Sequence, residues 1–116
     1  IDWPAEGVIT LPLNQSEEHG FGRPYVCEIE NGYEMFYSIR KLQRNGYRMG
    51  YAISSNGVNW ERRDREIGIT PSIRGWDSES VEYGAPFESC GKRWLLYNGN
   101  DFGGTGFGIA ELVSEG

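Results

Sequence analysis

The stretch YAISSNGVNWERR, Tyr51 to Arg63, places a predicted strand on each side of an Asn-Gly pair and brings in a tryptophan three residues later. Asn-Gly is the strongest short hairpin signal, because both turn positions of a two-residue hairpin favour a positive φ. The stretch therefore predicts a tight antiparallel hairpin. We expect Trp60 to lie at the outer strand, where a large flat side chain can seal one sheet against the next.

The same pattern continues on both sides of this stretch and predicts short antiparallel strands. The predicted strands are 24–30, 33–40, 47–54 and 58–63, then, after an irregular stretch at 64–80, 81–90, 93–100 and 107–114. The predicted turns and loops are Asn31-Gly32, 41–46, Asn56-Gly57, Gly91-Lys92 and 101–106. The segment GVITLPL, 7–13, predicts a short edge strand, because proline is tolerated at the edge of a sheet.

The two halves of the chain repeat each other at an interval of about sixty residues. The matched residues are Pro24 with Pro86, Tyr25 with Phe87, Met35-Phe36-Tyr37 with Leu95-Leu96-Tyr97, Gly50 with Gly108 and Ala52 with Ala110. A four-stranded meander repeated at such an interval is typical of a β-propeller blade. We therefore predict an all-β single domain over 1–116, with a lead-in segment at 1–22, a first blade at 23–65 and a second, incomplete blade at 77–113.

Composition and charge argue against several classes of function. The net charge of −6 argues against nucleic-acid binding, which needs clustered lysine and arginine. No apolar run is long enough to span a membrane, so the sequence predicts a soluble protein, with the cytoplasm favoured and the compartment otherwise undetermined. Cys27 and Cys90 permit one disulfide without implying it, and their spacing predicts no metal site.

Residues 21–112 contain several motifs in a fixed order: RPYV at 23–26, the turn from Ser54 to Trp60, GWDSES at 75–80, and YNGN followed by GGTGFG between 97 and 108. In this order they resemble five-bladed β-propeller proteins related to glycoside hydrolase families 32 and 43, chiefly uncharacterised bacterial members. The turn has Asn56 where the group's motif has aspartate. The resemblance implies the carboxy-terminal two blades of such a propeller. Two unclosed blades expose apolar faces, so we expect assembly with further copies of the chain or excision from a longer protein.

The resemblance also implies catalytic carboxylates near the start of the inner strands, where one acid protonates the leaving oxygen. The acidic residues there are Asp77, Glu79 and Glu82, and Glu82 is our candidate general acid. Asp77 and Glu79 share one side if the chain is extended, and either could modulate or replace Glu82. The alternative is an exposed acidic loop, or carboxylates that cap local backbone.

Basic residues favour a different chemistry at the matching place in the first repeat. Arg23, which precedes Pro24, takes the position where a partner carboxylate would be wanted. A cation there weakens the hydrolase interpretation and suits an anion such as an acidic sugar or a phosphate. Because glycoside phosphorylases share this architecture, Arg23 and Arg74 could together hold phosphate.

The remaining candidates suit sugar binding or a structural role, which for the aromatic residues is packing between blades or subunits. The Gly-rich segment that contains Asn98, Asn100 and Asp101 is followed by a strand rather than a helix, so it predicts no dinucleotide site and no cofactor. Its amide and carboxylate groups suit sugar hydroxyls or a tight glycine loop. His19 is either a sugar-bonding group or a solvated side chain. Aromatic candidates for stacking on sugar rings are Trp3, Trp76, Tyr83 and Phe102.

Three functions therefore remain open from the sequence. The first is a carbohydrate-binding or glycosidase-like propeller fragment without catalysis of its own, in which Trp76, Glu82 and Asn98 contact sugar. The second is a protein-interaction module of propeller origin. The third is a glycoside hydrolase that is active only when assembled as a homo-oligomer. The predicted partners are a second copy of the chain and carbohydrate, with no nucleic acid and no membrane.

Overall fold

The computed structural model describes residues 1–3, 6–42 and 46–113, and within them seven strands form two antiparallel sheets. The first sheet consists of β1 (Glu18–Ile29), β2 (Gly32–Lys41), β3 (Tyr47–Ser54) and β4 (Glu61–Arg62) in sequential order. The second consists of β5 (Glu82–Ser89), β6 (Lys92–Asn98) and β7 (Phe107–Glu111), also sequential. A 3-10 turn at Asp64–Ile67 and a single helical turn at Asn100–Gly103, α1, complete the elements. The predicted all-β fold of a four-stranded and a three-stranded meander is confirmed.

Strand β2 lies between two hydrophobic clusters, which explains why its apolar residues do not alternate. Its odd-numbered side chains belong to the outer cluster, made of Met35, Tyr37, Ile39 and Ala52. Its even-numbered side chains face the second sheet, in the inter-sheet cluster of Phe36, Met49, Val81 and Leu95. A strand that is buried on both faces has no polar face to display.

The hairpin formed by the last two full-length strands of each sheet has the same register in both repeats. Tyr37 pairs with Gly50 in the first sheet, as Tyr97 pairs with Gly108 in the second. Each glycine lies against an aromatic ring: a Cβ on Gly50 would clash with Tyr37, and a Cβ on Gly108 would clash with Tyr97 and Trp76. The repeated glycines are therefore required by close packing of rings on the backbone.

Two hairpin turns begin one residue earlier than the sequence predicts. In the first, Ile29 pairs with Gly32, so the turn residues are Glu30 and Asn31 rather than Asn31 and Gly32. Gly32 is needed for another reason, since a Cβ there would meet the backbone carbonyl of Ser54. In the second sheet, Ser89 pairs with Lys92, so Cys90 and Gly91 form the turn.

In that second turn both residues have a positive φ, 53° at Cys90 and 75° at Gly91. This is the backbone geometry of a two-residue type I′ hairpin. Both cysteines of the chain are free, Cys27 half-buried and Cys90 exposed.

The hairpin at Asn56-Gly57 is organised by side chains, and the strand after it is shorter than predicted. The carboxamide oxygen of Asn56 accepts hydrogen bonds from the backbone N–H groups of Val58 and Asn59, both at 2.9 Å. Strand β4 is therefore confined to Glu61–Arg62 instead of 58–63. Trp60 packs on the outer cluster, so it covers the outward face of the first sheet and does not lie between the sheets.

The predicted edge strand at 7–13 is wrong. This segment is not a strand, and Val8 and Ile9 are exposed. Leu11 instead packs on the outer cluster. Because Pro12 has no N–H to donate, the segment contacts the sheet through a side chain lying on its face rather than through backbone pairing along its edge.

An ionic network also covers the outward face of the first sheet. The Arg62 guanidinium donates to Glu18 at 2.8 Å and 2.5 Å and to Asp64 at 2.6 Å, and Tyr37 donates its hydroxyl hydrogen to Asp64. Arg62 also lies over the rings of Phe21 and Tyr37. Burial alone would raise the pKa of Glu18, but hydrogen bonds from Arg62 and the Asn14 N–H hold it below its usual value. We call Leu11, Trp60 and this network the cap of the first sheet.

A second ionic contact connects the two sheets. Buried Glu34 on β2 pairs with Arg93 on β6 and accepts a hydrogen bond of 2.6 Å from the hydroxyl of Tyr51. The contact stands beside a cleft of about 770 Å³ between the sheets. Across the described ranges, the protein has no helix that is long and apolar enough to cross a membrane.

Candidate functional site

Both inner strands, β1 and β5, carry a bulge at the same position, and the two bulges meet. The register breaks between Gly22 and Tyr25 in β1 and between Glu82 and Ala85 in β5. Arg23 and Tyr83 occupy these bulges with a positive φ of 48° and 58°. A non-glycine residue in this region is uncommon and is found at bulges and functional sites.

The register also corrects the match between the repeats at this place. Gly22 pairs with Ser38, and Glu82 pairs with Asn98, sixty positions further along on both strands. The residue equivalent to Glu82 is therefore Gly22, and Arg23 is equivalent to Tyr83. The matches of Pro24 with Pro86 and of Tyr25 with Phe87 were wrong by two positions. Sequence matching aligns the prolines, whereas the hairpin register aligns the bulges.

Aromatic rings gather around the two bulges. The ring centroids lie 5.8 Å apart for Tyr47 and Tyr83, 5.6 Å for Tyr47 and Phe102, and 6.2 Å for the stacked pair Tyr83 and Phe102. The guanidinium carbon of Arg23 lies 5.0 Å from the centre of the Tyr83 ring. We call Arg23, Tyr47, Tyr83 and Phe102 the aromatic platform.

The platform is partly open to solvent. Arg23 is exposed, and Phe102 has 60% of its surface accessible. Burial raises the pKa of Tyr83, Tyr47 and Glu82 raise it further, and the Arg23 charge opposes them. Within the described residues, Arg23 forms no ion pair with a carboxylate. Its charge is therefore available to a ligand.

Glu82, the candidate general acid, is fully buried beside the platform. Neither carboxylate oxygen has a hydrogen-bond partner among the described residues. Burial raises the pKa of Glu82. The nearby Ser80 hydroxyl and Phe102 N–H partly oppose that rise, although neither meets the geometry of a hydrogen bond to the carboxylate. A carboxyl group held towards its neutral form is suited to donating a proton. Its lack of exposure keeps it from reaching a ligand in this conformation.

The other two acidic candidates do not share one side of an extended chain, so that prediction was wrong. The segment from 73 to 79 is a series of bends and turns. Asp77 is buried and lies 3.4 Å from the Tyr97 hydroxyl, whereas Glu79 is exposed. Burial, with Asp77 as the second cause, raises the pKa of Tyr97. Asp77 has a structural contact, and Glu79 contributes its backbone, whose carbonyl accepts from Arg48 at 2.7 Å.

Asn100 holds the turns before β5 in place. Its carboxamide oxygen accepts from the N–H groups of Glu79 at 2.7 Å and Ser80 at 3.1 Å. Its carboxamide nitrogen donates to the Gly75 carbonyl at 3.1 Å and the Ser78 hydroxyl at 3.3 Å. Asn100 is therefore a structural clamp with its hydrogen bonds already used.

Trp76 belongs to the same structural unit as Asn100. Its ring stacks on Tyr97 at 5.5 Å and lies against Gly99 and Gly108. Its carbonyl accepts from the Asn100 N–H at 2.7 Å and from the Thr105 hydroxyl at 2.6 Å. The exposed rim of Trp76 is open to a ligand, but most of its contacts are internal.

The remaining candidates are dispersed. Asn98 ends β6 opposite Glu82 and lies beside Gly103, half-buried. Asp101 is exposed in α1, where it and Phe102 have left-handed backbone angles. His19 is exposed on β1, and Arg74 is exposed in the irregular segment between the sheets. The platform thus contains Arg23 of the predicted sugar-binding residues, with Tyr83 and Phe102 of the aromatic candidates.

Tyr47 is the platform residue that sequence reasoning missed. It is the first residue of β3 and stands beside the loop 41–46. The backbone of Tyr47 pairs with the segment before β5, since its N–H donates to the Ser80 hydroxyl at 3.2 Å and its carbonyl accepts from the Val81 N–H at 3.1 Å. This contact between the repeats places Tyr47 beside Tyr83. No local sequence pattern indicates it, because it joins residues more than thirty positions apart.

Comparison with known proteins supports the fold and leaves activity open. No protein-family model matches the chain. The chain is 32% identical over 112 residues to "Uncharacterized protein Rv1502" and 31% identical to "Uncharacterized protein MT1551", both of Mycobacterium tuberculosis. Those matches cover 97% of this chain and 36% of each relative, so the chain spans about a third of their length. A solved structure of a complex between BT0996 and RGII superposes with a TM-score of 0.62 and 21% identity, over 90% of this chain and 35% of the BT0996 chain.

Proposed function

We propose that this chain is a carbohydrate-binding unit of β-propeller origin, which binds sugar at the aromatic platform and does not catalyse hydrolysis on its own. The platform carries the proposal, because a charged guanidinium and three aromatic rings converge where the inner strands of the two repeats meet. Sugar rings present apolar C–H faces that stack on aromatic side chains, while a few polar groups fix their orientation.

The propeller origin is supported by the way in which the repeats are arranged. Both sheets are sequential meanders with a bulge at the same position of the first strand. They pack face to face through Phe36 and Met49 on one side and Leu95 on the other. This is the relation between adjacent blades of a propeller, and it agrees with the resemblance to propellers related to glycoside hydrolase families 32 and 43.

A carbohydrate ligand is supported by the chemistry of the platform and, more weakly, by the structural neighbour. That neighbour is a complex with RGII, a carbohydrate. Arg23 adds a positive charge to the platform in a chain whose net charge is −6. We therefore propose a preference for sugars that carry a carboxylate, since guanidinium groups bind carboxylates through paired hydrogen bonds.

Catalysis is not part of the proposal for the isolated chain. Glu82 has the raised pKa of a proton donor, but its side chain is fully buried. A glycosidase also needs a second carboxylate across the scissile bond, and the register puts Gly22 at the equivalent position in the first repeat. The activity of an assembled particle would need that second group from elsewhere.

Isothermal titration calorimetry tests the proposal with three probes: RGII oligosaccharides, an oligogalacturonate as an acidic chain and a malto-oligosaccharide as a neutral one. We expect the acidic probes to bind more tightly than the neutral one. Phe102→Ala should weaken binding by about twofold to tenfold, the effect of losing one aromatic contact. Arg23→Ala should weaken acidic probes by about tenfold or more, the effect of losing a charge-assisted hydrogen bond.

Trp3→Ala is the control, because Trp3 is also an exposed aromatic residue but lies outside the platform. It should leave every affinity unchanged. Binding that is insensitive to both Phe102→Ala and Arg23→Ala would contradict the platform as the site. The absence of binding to all three probes would contradict the proposed ligand class.

A further inference from the structure

The second sheet presents an outward face with exposed apolar side chains, which we call the open face. Its members are Phe87, Leu96, Phe107 and Ile109, with exposed fractions of 39%, 41%, 78% and 54%. The register places these side chains on one face. Leu96 pairs with Ile109, and the pairs two residues away, Asn98 with Phe107 and Trp94 with Phe87, point to the same side because side chains alternate with a period of two. Contiguous exposed apolar surface of this kind is typical of an interaction site.

The repeat shows how the same positions behave when they are covered. Ser38 pairs with Met49 and Phe36 with Tyr51 in the first sheet, as Asn98 pairs with Phe107 and Leu96 with Ile109 in the second. Phe36 and Met49, which correspond to Leu96 and Phe107, are buried against the second sheet. The open face is thus the counterpart of a face that already packs on a β-sheet.

The opposite end of the molecule offers no matching open face among the described residues. The centre of the outward face of the first sheet is buried beneath the cap, with Tyr37 and Ile39 each only 2% exposed. Val26, which pairs with Met35 at the edge of that face, is 49% exposed. A head-to-tail stack of copies would need that face to be free. Because one face is capped and the other is open, the pairing that covers the remaining surface is open face against open face, which is an isologous contact.

Electrostatics on the open face permit self-association despite the net charge of −6. Among the residues that the structure describes, the charged groups on this face are Lys92 and Glu111, which pair with each other at 3.3 Å. Lys92 also lies 6.0 Å from the ring of Trp94. The face is therefore neutral as a whole, so two copies that meet there bring no unpaired like charges together.

We propose that the open face binds the same face of a second copy of this chain, forming a twofold dimer. The occupant is a second copy because the face is apolar and neutral, and because the cap covers most of the surface that a head-to-tail neighbour would use. The inference is independent of the carbohydrate site, since it uses none of the platform residues.

Sedimentation velocity across a wide concentration range tests the dimer. We expect a species of about 26 kDa, twice the 13.1 kDa of one chain, with nothing larger. A monomer at every concentration would overturn the proposal. A larger particle or an open-ended series would also overturn it, because these require the capped face.

Two variants locate the contact. Leu96→Glu and Ile109→Lys each place a charge on the open face, and each should convert the dimer to a monomer with an unchanged circular dichroism spectrum. Ile73→Glu is the control: Ile73 is fully exposed and belongs to the irregular segment between the sheets, so its variant should remain dimeric. A dimer that survives both open-face variants would place the contact elsewhere and overturn the inference. If one variant unfolds, the other decides.

Discussion

The two sheets share a hairpin register, a bulge and a pair of ring-supporting glycines, yet they differ at their outward faces. In the first sheet Leu11, Trp60 and Arg62 close that face, and the side chains beneath are almost fully buried. In the second sheet the outward face remains open, with Phe107 and Ile109 exposed. Leu11 comes from the lead-in segment, Arg62 from β4, and Trp60 from the residue just before β4. The described part of the second sheet has no strand equivalent to β4.

The difference shows that a repeated core does not ensure a repeated surface. Paired strands with matching apolar residues build both sheets, but whether a face is closed depends on segments outside the repeat. A face closed by its own chain stabilises the monomer, whereas an open face is available to a partner. Substitutions in both sheets test this contrast.

Removing the centre of the cap should destabilise the first sheet most. Arg62→Met removes the closer cation from Glu18, whose side chain is only 3% exposed and which then keeps only Lys41, at 4.0 Å, and the Asn14 N–H. Breaking a buried ion pair in this way costs about 3–5 kcal/mol. Chemical denaturation should report a loss of that size. Arg63→Met is the matched control, because Arg63 pairs with an exposed Glu61 at 3.2 Å and should cost less than about 1 kcal/mol. Equal losses in the two variants would show that the network does not close the sheet.

Met49 and Phe107 occupy equivalent positions in the two sheets, and only Met49 is covered. Met49→Ala removes a side chain that is 4% exposed and should cost about 2–5 kcal/mol. Phe107→Ala removes a larger side chain that is 78% exposed and should change monomer stability by less than about 0.5 kcal/mol. Both are measured by denaturation at a concentration where the chain is monomeric. A large loss for Phe107→Ala at that concentration would mean that the face is closed within the monomer.

A pH-dependent effect on stability is expected from the buried carboxyl of Glu82. Burial raises the folded-state pKa of Glu82 above its ordinary value of 4.5. The stability contributed by the protonated carboxyl is therefore complete below pH 4.5 and is lost as the pH rises through the folded-state pKa. Glu82→Gln, which cannot ionise, should stabilise the protein at neutral pH relative to the parent chain, which loses the contribution of the protonated carboxyl as the pH rises.

The gain from Glu82→Gln should disappear below pH 4.5, and thermal denaturation across that range measures it. Glu88→Gln is the control, because Glu88 is exposed on the same strand and should show no such trend. A gain that is independent of pH would show that charge burial is not its cause.

The positions of strands along the chain could be predicted from the sequence more reliably than the residues that pack against each strand. The segment YRMGYAIS coincides with β3, because its aromatic and apolar residues fit a strand that is packed on both sides. The sequence places most of the segment EHGFGR in the lead-in, since its glycines suggest a break. In the structure it begins β1, where Phe21 packs edge-to-face on Tyr37 at 5.1 Å. Tertiary packing overrides the local preference of glycine there.

The candidate site was less predictable for a similar reason. Glu82 and Arg23 are recognisable from the sequence as neighbours of the inner strands, but their relation to each other depends on bulges that no residue pattern marks. Tyr47 is brought to Tyr83 by the contact between β3 and the segment before β5. Trp76 and Asn100 resemble ligand-binding residues because their side chains can form the contacts that sugars use. The structure uses those same contacts internally.

Nuclear magnetic resonance titration of the ¹⁵N-labelled chain with an acidic oligosaccharide tests the central claim most directly. The claim is that the platform where the two inner strands meet binds carbohydrate, while the open face of the second sheet does not. We predict saturable amide shift changes concentrated at Arg23, Tyr47, Tyr83 and Phe102, with little change at Phe107 and Ile109. Shift changes centred on the open face, or none at any residue, would contradict the account.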